Sequence, residues 1–345
     1  MQKTARRIEV ASPFFEDLAV GQVCDDVPPV TLTDGLAAFH AALTGDRLRL
    51  PLDVGLSRAV TGRGAALAHP NLVCNVAIGQ TTPLSGRVLG NLFYRGLLFQ
   101  RPVFLGDTLR TTTRIVALRQ NRARPGRAAS GMAVFEIHVE NQDGETVLHF
   151  WRCPMLPCRD PEADTGHADS LDAIPAELAL ERVHRCVPAD WDLQAFRKAI
   201  PGAHFQDVEP GVTWVVESRD TITSAPELAR LTLNVAAAHT DASASHYGKR
   251  LVYGGHTISL ASAQLMRALP NVVTLLGWRS CDHTAPVFEG DLLRTELSVD
   301  EAHPRTCGGG LLDLHARVFA TRGSRAPEPG HDVPVLDWRV IALLA

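Results

Sequence analysis

The sequence lacks three features that would each assign it to a particular class of protein. It has no excess of positive charge, since the net charge is -4, and nucleic acid is not an expected partner because phosphate backbones require a basic face. It has no apolar stretch near the roughly 18 residues that cross a bilayer, so no membrane partner is expected. The N-terminal stretch MQKTARRIEV has no apolar run behind its basic residues, which predicts that it is not a secretory signal.

Paired cysteine motifs are also missing. The seven cysteines are an odd number, and the neighbours Cys153 and Cys158 stand in CPMLPC, which is not a CxxC motif. No group of His, Cys and carboxylate residues has the spacing of metal ligands, so we expect no metal. Reduced thiols are typical of a cytoplasmic protein, and the cytoplasm is the predicted location.

The chain is long enough and apolar enough to form two domains. It has 345 residues, 45% hydrophobic and 21% charged, which is typical of a globular protein with a core in each half. The halves are related, because PVFLGDTLR at 102–110 recurs as PVFEGDLLR at 286–294 with seven of nine letters unchanged. The shared Gly-Asp is a turn signal, and the apolar residues beside it indicate a turn that leads into a strand.

The repeat extends over most of the chain. FFEDLAVG at 14–21 corresponds to HFQDVEPG at 204–211, and each copy later alternates apolar and polar residues with the period of a strand. Each copy also contains a nearly all-apolar helix, at 69–80 and at 254–269, which predicts that the helix is buried. One buried helix wrapped by an antiparallel sheet, twice in tandem, predicts an α+β double hot-dog fold.

The segment between the copies has the composition of a linker, since it is acidic and rich in Pro and Ala. We therefore predict an N-terminal hot dog over 1–160, a linker with one short helix over 161–195, and a C-terminal hot dog over 196–345.

The second copy resembles the MaoC-like (R)-specific enoyl-CoA hydratases. LNVAAAHTD at 233–241 and RLVYGGHTISLAS at 250–262 are similar to that family's G-D-x-N-P-x-H-x-D pattern with the strand, His-Gly and buried helix that follow it. Phrases such as VYGGHTISLA and GDTLRTT resemble the mesaconyl-CoA hydratase (methylmalyl-CoA dehydratase) branch, nearly end to end. The resemblance implies an enzyme that adds or removes water across the 2,3 double bond of an enoyl-CoA thioester, without a further cofactor.

Position by position, the resemblance implies a catalytic set in the second copy. Asn234 stands where the family has a catalytic aspartate, His239 on the catalytic histidine, and Gly254 on the glycine whose N–H polarises the thioester carbonyl. Ser262 takes the place of a serine that supports the aspartate, although it could simply bond a carbonyl one turn back. Histidine suits a base because its ordinary pKa is about 6.5, whereas asparagine cannot titrate and would hold a water by its amide oxygen.

Other residues of the second copy are candidates for contact with the acyl group. Tyr253, Gly255 and His256 flank the start of the buried helix, where they either line an acyl pocket or only pack. Asp241 falls on the acid that follows the histidine in the family pattern, which is a structural acid near the turn.

Arginines bind phosphate and carboxylate groups well. RQNRARPGR at 119–127 places Arg119 and Arg122 on an expected hairpin tip, where they either bind the phosphates of CoA or form a solvated basic loop. Arg95 and Arg279 are the candidates for binding a second carboxylate of the substrate.

The first copy lacks the groups that the second copy supplies. It keeps Gly-Asp at Asp46, but Pro51 stands at the position of the histidine and Pro70 at that of the glycine. Proline has no N–H to donate to an oxyanion. We therefore expect the first copy to be catalytically silent and to bind the acyl chain or the pantetheine arm.

Two other functions stay open at this point. Asn234 in place of an aspartate fits a catalytically degenerate acyl-CoA-binding protein, and thioesterases are common among hot-dog folds. The pattern at 234–239 favours a hydratase, with an acyl-CoA substrate as its partner and a homodimer as the assembly that the sequence allows.

Overall fold

The computed structural model describes residues 7–322 and 332–345, so residues 1–6 of the N-terminal stretch lie outside it. Strands contain more of the described residues than the α-helices do. They are β1 Val23–Cys24, β2 Val30–Thr31, β3 Gly90–Phe99, β4 Thr108–Gln120, β5 Ser130–Glu140, β6 Thr146–Pro157, β7 Thr213–Val215, β8 Asp220–Thr221, β9 Val272–His283, β10 Leu292–Pro304, β11 Gly310–Thr321 and β12 Val333–Leu344.

The helices are fewer, and most are short. They are α1 Asp34–Thr44, α2 Arg49–Leu52, α3 Val54–Thr61, α4 Pro70–Gln80, α5 Leu180–Cys186, α6 Leu193–Ala199, α7 Ala225–Leu231 and α8 Gly254–Ala268. No helix in the described ranges is long and apolar enough to cross a membrane.

All the strands pair in antiparallel fashion. Their order is β1-β4-β5-β6-β3-β9-β12-β11-β10-β7, with β2 beside β4 and β8 beside β10. The pair β3–β9 joins the halves, so one sheet continues through both of them. Gly277 on β9 is needed at this join, because a side chain there would come within 2.6 Å of the carbonyl oxygen of Leu97 on β3.

The helices α4 and α8 occupy equivalent places in the two halves. All 11 residues of α4 are buried, and Pro70 begins it at a position that proline tolerates because the N–H there has no partner within the helix. Only three residues of α8, one at its start and two at its end, are not fully buried. Two buried helices, each wrapped by half of an antiparallel sheet, confirm the predicted double hot-dog fold.

The repeated Gly-Asp turns make the same hydrogen bonds in both halves. The N–H of Gly106 donates to Leu32 at 2.8 Å, and the N–H of Gly290 donates to Ile222 at 2.9 Å. In each half the turn aspartate also accepts a hydrogen bond from the N–H three residues earlier, at 2.8 and 2.9 Å. The repeated phrase therefore builds the fold at equivalent positions, and both turns need their glycine because φ is 100° and 86°.

The segment predicted as a linker packs against the folded halves. It contains α5 and the start of α6, and Val183 and Trp191 belong to one apolar cluster with Leu67 and Phe104 of the first half. Pro188 and Trp191 lie over the start of α4, where only a narrow apolar space of about 30 Å³ is left. The groove beside α4 is therefore filled by the chain itself.

Replacing Trp191 tests this filling of the first groove. Trp191 is 9% exposed, so we expect Trp191→Ala to lower the free energy of unfolding by about 3 kcal/mol, since truncating a buried aromatic leaves a cavity. Phe39→Ala is the matched control because Phe39 is 47% exposed. Equal midpoints of chemical denaturation for the two variants would contradict the burial of Trp191.

Candidate active site

Four residues predicted from the sequence lie around one cavity of about 200 Å³ beside the start of α8. Asn234 and His239 reach it from the irregular segment between α7 and α8. Tyr253 and Gly254 reach it from the residue before α8 and from the first residue of that helix. The structure thus brings together the base, the polar amide and the helix N-terminus that the resemblance implies.

The segment that carries Asn234 folds like its counterpart in the first half. Leu233 adopts the left-handed conformation at φ 56°, as Gly45 does at φ 63°. The next side chain, Asn234 or Asp46, then accepts a hydrogen bond from the N–H two residues further on, at 2.9 Å in both halves. The backbone therefore supports the alignment of Asn234 with the aspartate of the family pattern.

His239 is held as a neutral imidazole. Its Nδ1 lies 2.8 Å from the carbonyl oxygen of Leu251, which accepts the proton of Nδ1 and leaves Nε2 with its lone pair. Burial lowers the pKa of His239 to about 4, although the hydrogen bond to Leu251 opposes this shift, and the positive charge of Arg152 lowers the pKa further. His239 is therefore unprotonated at neutral pH.

Asn234 presents its NH₂ group to the cavity. Its amide oxygen already accepts the N–H of Ala236 at 2.9 Å, while no hydrogen bond within the described residues uses its Nδ2. The sequence predicted that the amide oxygen would hold a water, but the structure leaves the nitrogen as the group for that contact. Asn234 can thus donate to the oxygen of a water, with His239 as the acceptor of its proton.

Gly254 has a backbone N–H without an acceptor in the helix, and it lies close to the side chain of His283. As the first residue of α8 it has no acceptor for its N–H within the helix, and the helix dipole makes that end partly positive. A side chain at Gly254 would come within 2.7 Å of Nε2 of His283. His283 also lines the cavity, and burial lowers its pKa to about 4.

The other wall of the cavity comes from the first half. Thr82, Tyr94, Arg152 and Met155 line it, and Arg152 is the one residue with a formal charge among the described residues around the cavity. Burial lowers the pKa of the Arg152 guanidinium, and arginine is the side chain that keeps its positive charge in proteins. Sequence reasoning missed Tyr94, Arg152 and His283.

A signal for two of these residues was present in the repeat. His283 corresponds to Phe99 of the first half, because each ends the strand before the repeated Pro-Val-Phe phrase. Strand register relates Arg152 to Val340, since β6 pairs with β3 as β12 pairs with β9. At both pairs of equivalent positions, the copy with the polar residue contributes that residue to the open cavity, and the other copy has an apolar residue.

Arg95 and Arg279, the candidates for a second substrate carboxylate, are already paired. Arg95 lies 2.6 Å from Asp282, and Arg279 lies 2.8 Å from Asp313. Neither lines the cavity. Both arginines therefore form ion pairs within the sheet and do not face the cavity.

Ser262 lies away from Asn234 and binds the aspartate of the first half. Its hydroxyl donates to Oδ2 of Asp46 at 2.6 Å, and Nε2 of His69 lies 3.2 Å from the same oxygen. Burial pushes the pKa of Asp46 upward, but the charge of His69 and the hydrogen bonds to the carboxylate outweigh it, so that the pKa is lowered. The contact of Ser262 therefore ties the two halves together.

The remaining candidates of the second copy do not line the cavity. Gly255 lies against Asn75, with which any side chain there would clash. His256 is buried in α8, and burial lowers its pKa to about 4. Asp241 is exposed and accepts two hydrogen bonds from Ser243, which stabilise a turn.

Arg119 and Arg122 line a second, larger groove. Arg124 and Arg127 line it as well, and none of the four arginines has a carboxylate within 4 Å in the part of the chain that the structure describes. Leu89, Leu92, Met155 and Tyr247 line both this groove and the cavity. The basic groove therefore adjoins the cavity beside Gly254.

One group of three potential metal ligands occurs within the described ranges. Glu136, His138 and His149 bring their donor atoms within 4.8 Å of one another on β5 and β6. None of the three lines the cavity, so this group takes no part in the site beside α8.

Sequence comparison places the chain beside two curated relatives. It is 31% identical over 337 residues to the β-methylmalyl-CoA dehydratase of Chloroflexus aurantiacus, covering 94% of this chain and 91% of that protein. It is 31% identical over 332 residues to the mesaconyl-CoA hydratase of Cereibacter sphaeroides, covering 92% and 91%. No protein-family model matches the chain.

Two solved structures share the fold over nearly the whole chain. A conserved hypothetical protein of Mycobacterium tuberculosis with a double hot-dog fold has a TM-score of 0.89 at 48% identity, covering 98% of this chain and 100% of that one. A putative MaoC domain dehydratase of Chloroflexus aurantiacus has a TM-score of 0.83 at 28% identity, covering 96% and 97%.

The left-handed Leu233 generates a prediction for stability. A left-handed conformation costs a residue with a side chain about 1 kcal/mol, and Leu233 is 50% exposed, so little packing is lost on its removal. We expect Leu233→Gly to raise the free energy of unfolding by up to about 1 kcal/mol, as measured by thermal and chemical denaturation. Leu233→Ala, which keeps the strain, is the control, and an equal gain in both variants would contradict a backbone origin.

Proposed function

The chain belongs to the MaoC-like (R)-specific enoyl-CoA hydratase superfamily, and on this basis we propose that it adds or removes water across the 2,3 double bond of an enoyl-CoA thioester. One observation carries the assignment to this site: a neutral histidine and a helix N-terminal N–H without an intrahelical acceptor face the same cavity. The first of these groups is the base that hydration needs, and the second stabilises the enolate oxygen.

His239 and Asn234 act on the water. The NH₂ group of Asn234 donates to the water oxygen, and Nε2 of His239 removes a proton as that oxygen bonds to C3. The π electrons of the double bond move towards the thioester, which becomes an enolate. The protonated His239 then returns the proton to C2. A pKa of about 4 makes the imidazolium a strong donor for this return.

Gly254 acts on the thioester. Its N–H and the dipole of α8 lie where a carbonyl oxygen can accept a hydrogen bond, and both become more favourable as negative charge develops on that oxygen. Pro70 begins the corresponding helix of the first half, and proline has no N–H for this contact. The chemistry therefore belongs to the second half.

The first half holds the arms of the substrate in this proposal. Its residues Tyr94, Arg152 and Met155 form a wall of the cavity, and Arg119 and Arg122 line the basic groove that adjoins it. Guanidinium groups without carboxylate partners suit the phosphates of CoA. The acyl group is proposed to resemble the mesaconyl group in the name of one relative.

Neither a metal nor a redox cofactor takes part in the proposed reaction. The residues around the cavity include no carboxylate or thiol within the described ranges, and the two imidazoles alone are a poor ligand set for a catalytic metal. Activity that survives exhaustive chelation would support this proposal.

The seven free cysteines support the proposed cytoplasmic location, and the homodimer stays a prediction.

An acyl-CoA-binding protein without catalysis is the second candidate, because Asn234 replaces the acid of the family pattern. Loss of the conjugated absorbance of crotonyl-CoA and mesaconyl-CoA upon addition of the protein distinguishes a hydratase from a binding protein. Release of free thiol in the same assay would instead identify a thioesterase.

Replacing His239 tests the proposed base. We expect His239→Ala to lower the turnover of enoyl-CoA at least about a hundredfold, because a positioned general base contributes that much. Asn234→Ala should lower turnover more than it lowers stability, since it removes the donor to the water but only one hydrogen bond among the described residues, from the N–H of Ala236.

Asp46→Ala is the matched control from the first half. It should lower the free energy of unfolding by about 3 kcal/mol, since it breaks a buried pair, and leave turnover nearly intact. If a folded Asp46→Ala variant were as inactive as His239→Ala, the assignment of the chemistry to the second half would be contradicted.

The lowered pKa of His239 predicts an unusual dependence on pH. A base with a pKa of about 4 is unprotonated down to about pH 5, so we expect kcat/KM to stay level from pH 8 to pH 5. The histidines of the unfolded chain bind protons near pH 6.5, so the folded state loses stability below that pH. Rates are therefore recorded within seconds of a pH jump, before the protein unfolds. A midpoint near 6.5 in folded protein would contradict a buried, neutral base.

A further inference from the structure

Arg152 is a buried charge in the wall of the cavity. It lies on β6, is 3% exposed, and packs over the ring of Phe135 with its guanidinium carbon 5.7 Å from the ring centre. It is also near enough to His239 for its charge to lower the pKa of that base. Arginine is almost never buried without a partner.

The partners of Arg152 in the protein do not balance its charge. Nη1 donates to the hydroxyl of Thr81 at 2.6 Å and Nη2 to the hydroxyl of Ser85 at 3.1 Å, while Nε has no acceptor. No carboxylate within the described residues forms an ion pair with it, whereas Arg95 and Arg279 are both paired. An arginine has five donors, so three of them are left without a partner.

The charge is specific to the open cavity. Strand register places Val340 of the second half at the position of Arg152, and Val340 is buried in the core. The second half therefore has a buried core residue at the position where the first half places a guanidinium in the wall of the open cavity. A purely structural role for the position is met by valine in one half, so the arginine of the other half calls for a ligand with a negative charge.

We infer that Arg152 is the specificity-determining residue for the acyl group, and that it binds a carboxylate at the end of the acyl chain opposite the thioester. The inference rests on the proposed function only in placing the thioester at Gly254. A guanidinium binds a carboxylate through two parallel hydrogen bonds, which a methyl end cannot replace. Enoyl-CoA thioesters of short dicarboxylic acids are thus the preferred class over monocarboxylic ones of the same length.

Binding of saturated thioesters tests the inference without requiring turnover. Succinyl-CoA and butyryl-CoA have the same chain length and differ at the distal end, and isothermal titration calorimetry measures the Kd of each. We expect wild-type protein to bind succinyl-CoA about tenfold to a hundredfold more tightly, which corresponds to a charge-assisted hydrogen bond. Equal Kd values in the wild type would overturn the inference.

Variants locate the preference at one side chain. Arg152→Gln should reduce the ratio of the two Kd values to about threefold or less, and Arg152→Lys, which keeps the charge but not the paired donors, should give an intermediate ratio. Arg95→Gln is the matched control, because it removes an arginine of the adjacent strand that does not line the cavity. A ratio that Arg152→Gln leaves unchanged in folded protein would also overturn the inference.

Turnover separates this inference from the proposed function. Hydration of mesaconyl-CoA and crotonyl-CoA is followed in the same preparations. A preference for succinyl-CoA without hydration of either enoyl thioester would reject the hydratase and keep the role of Arg152. Hydration of crotonyl-CoA with no preference in binding would keep the hydratase and reject that role. If Arg152→Gln does not fold, the wild-type ratio and Arg152→Lys decide.

Discussion

The pairing of β3 with β9 is the constraint on which the site depends. It joins the two halves edge to edge through five residue pairs, with Tyr94 opposite Cys281, and it thereby carries β6, the next strand, to the start of α8. Without this join His239 and the N-terminus of α8 would belong to one half and would face no second wall. A hot-dog repeat thus forms its cavity between copies, and each copy can specialise in what it contributes.

The electrostatics of the cavity favour anions throughout. Burial lowers the pKa of His239 and of His283 to about 4, so both imidazoles are neutral at physiological pH, while Arg152 keeps its charge. The N-terminus of α8 adds a partial positive charge. Because a buried site has a low dielectric constant, these fixed charges interact with a developing enolate more strongly than water would. The same field suits a CoA thioester that carries negative groups on both sides of the reacting bond.

The fold could be predicted from the sequence because its signals are local and are written twice. The Gly-Asp turns, the two apolar helices and the alignment of Gly254 with Pro70 all follow from comparing one copy with the other. The partners of the site could not be predicted in this way, because they lie across the join. Ser262 meets Asp46 of the other half, and Arg152 reaches a cavity whose motif is far away in the chain. A resemblance to a family assigns roles to positions within one motif. Which residues of the other half face that motif depends on the strand register.

Asn234 becomes intelligible when its surroundings are compared with those of Asp46. The carboxylate of Asp46 is stabilised by Ser262, by His69 and by a backbone N–H. The positions of Ser262 and His69 are taken in the other half by Ile78 and Tyr253, which leave a carboxylate there with fewer donors. An unpaired carboxylate in a buried site is costly. An amide avoids this cost and still accepts the N–H of Ala236, so the surroundings of position 234 suit an asparagine.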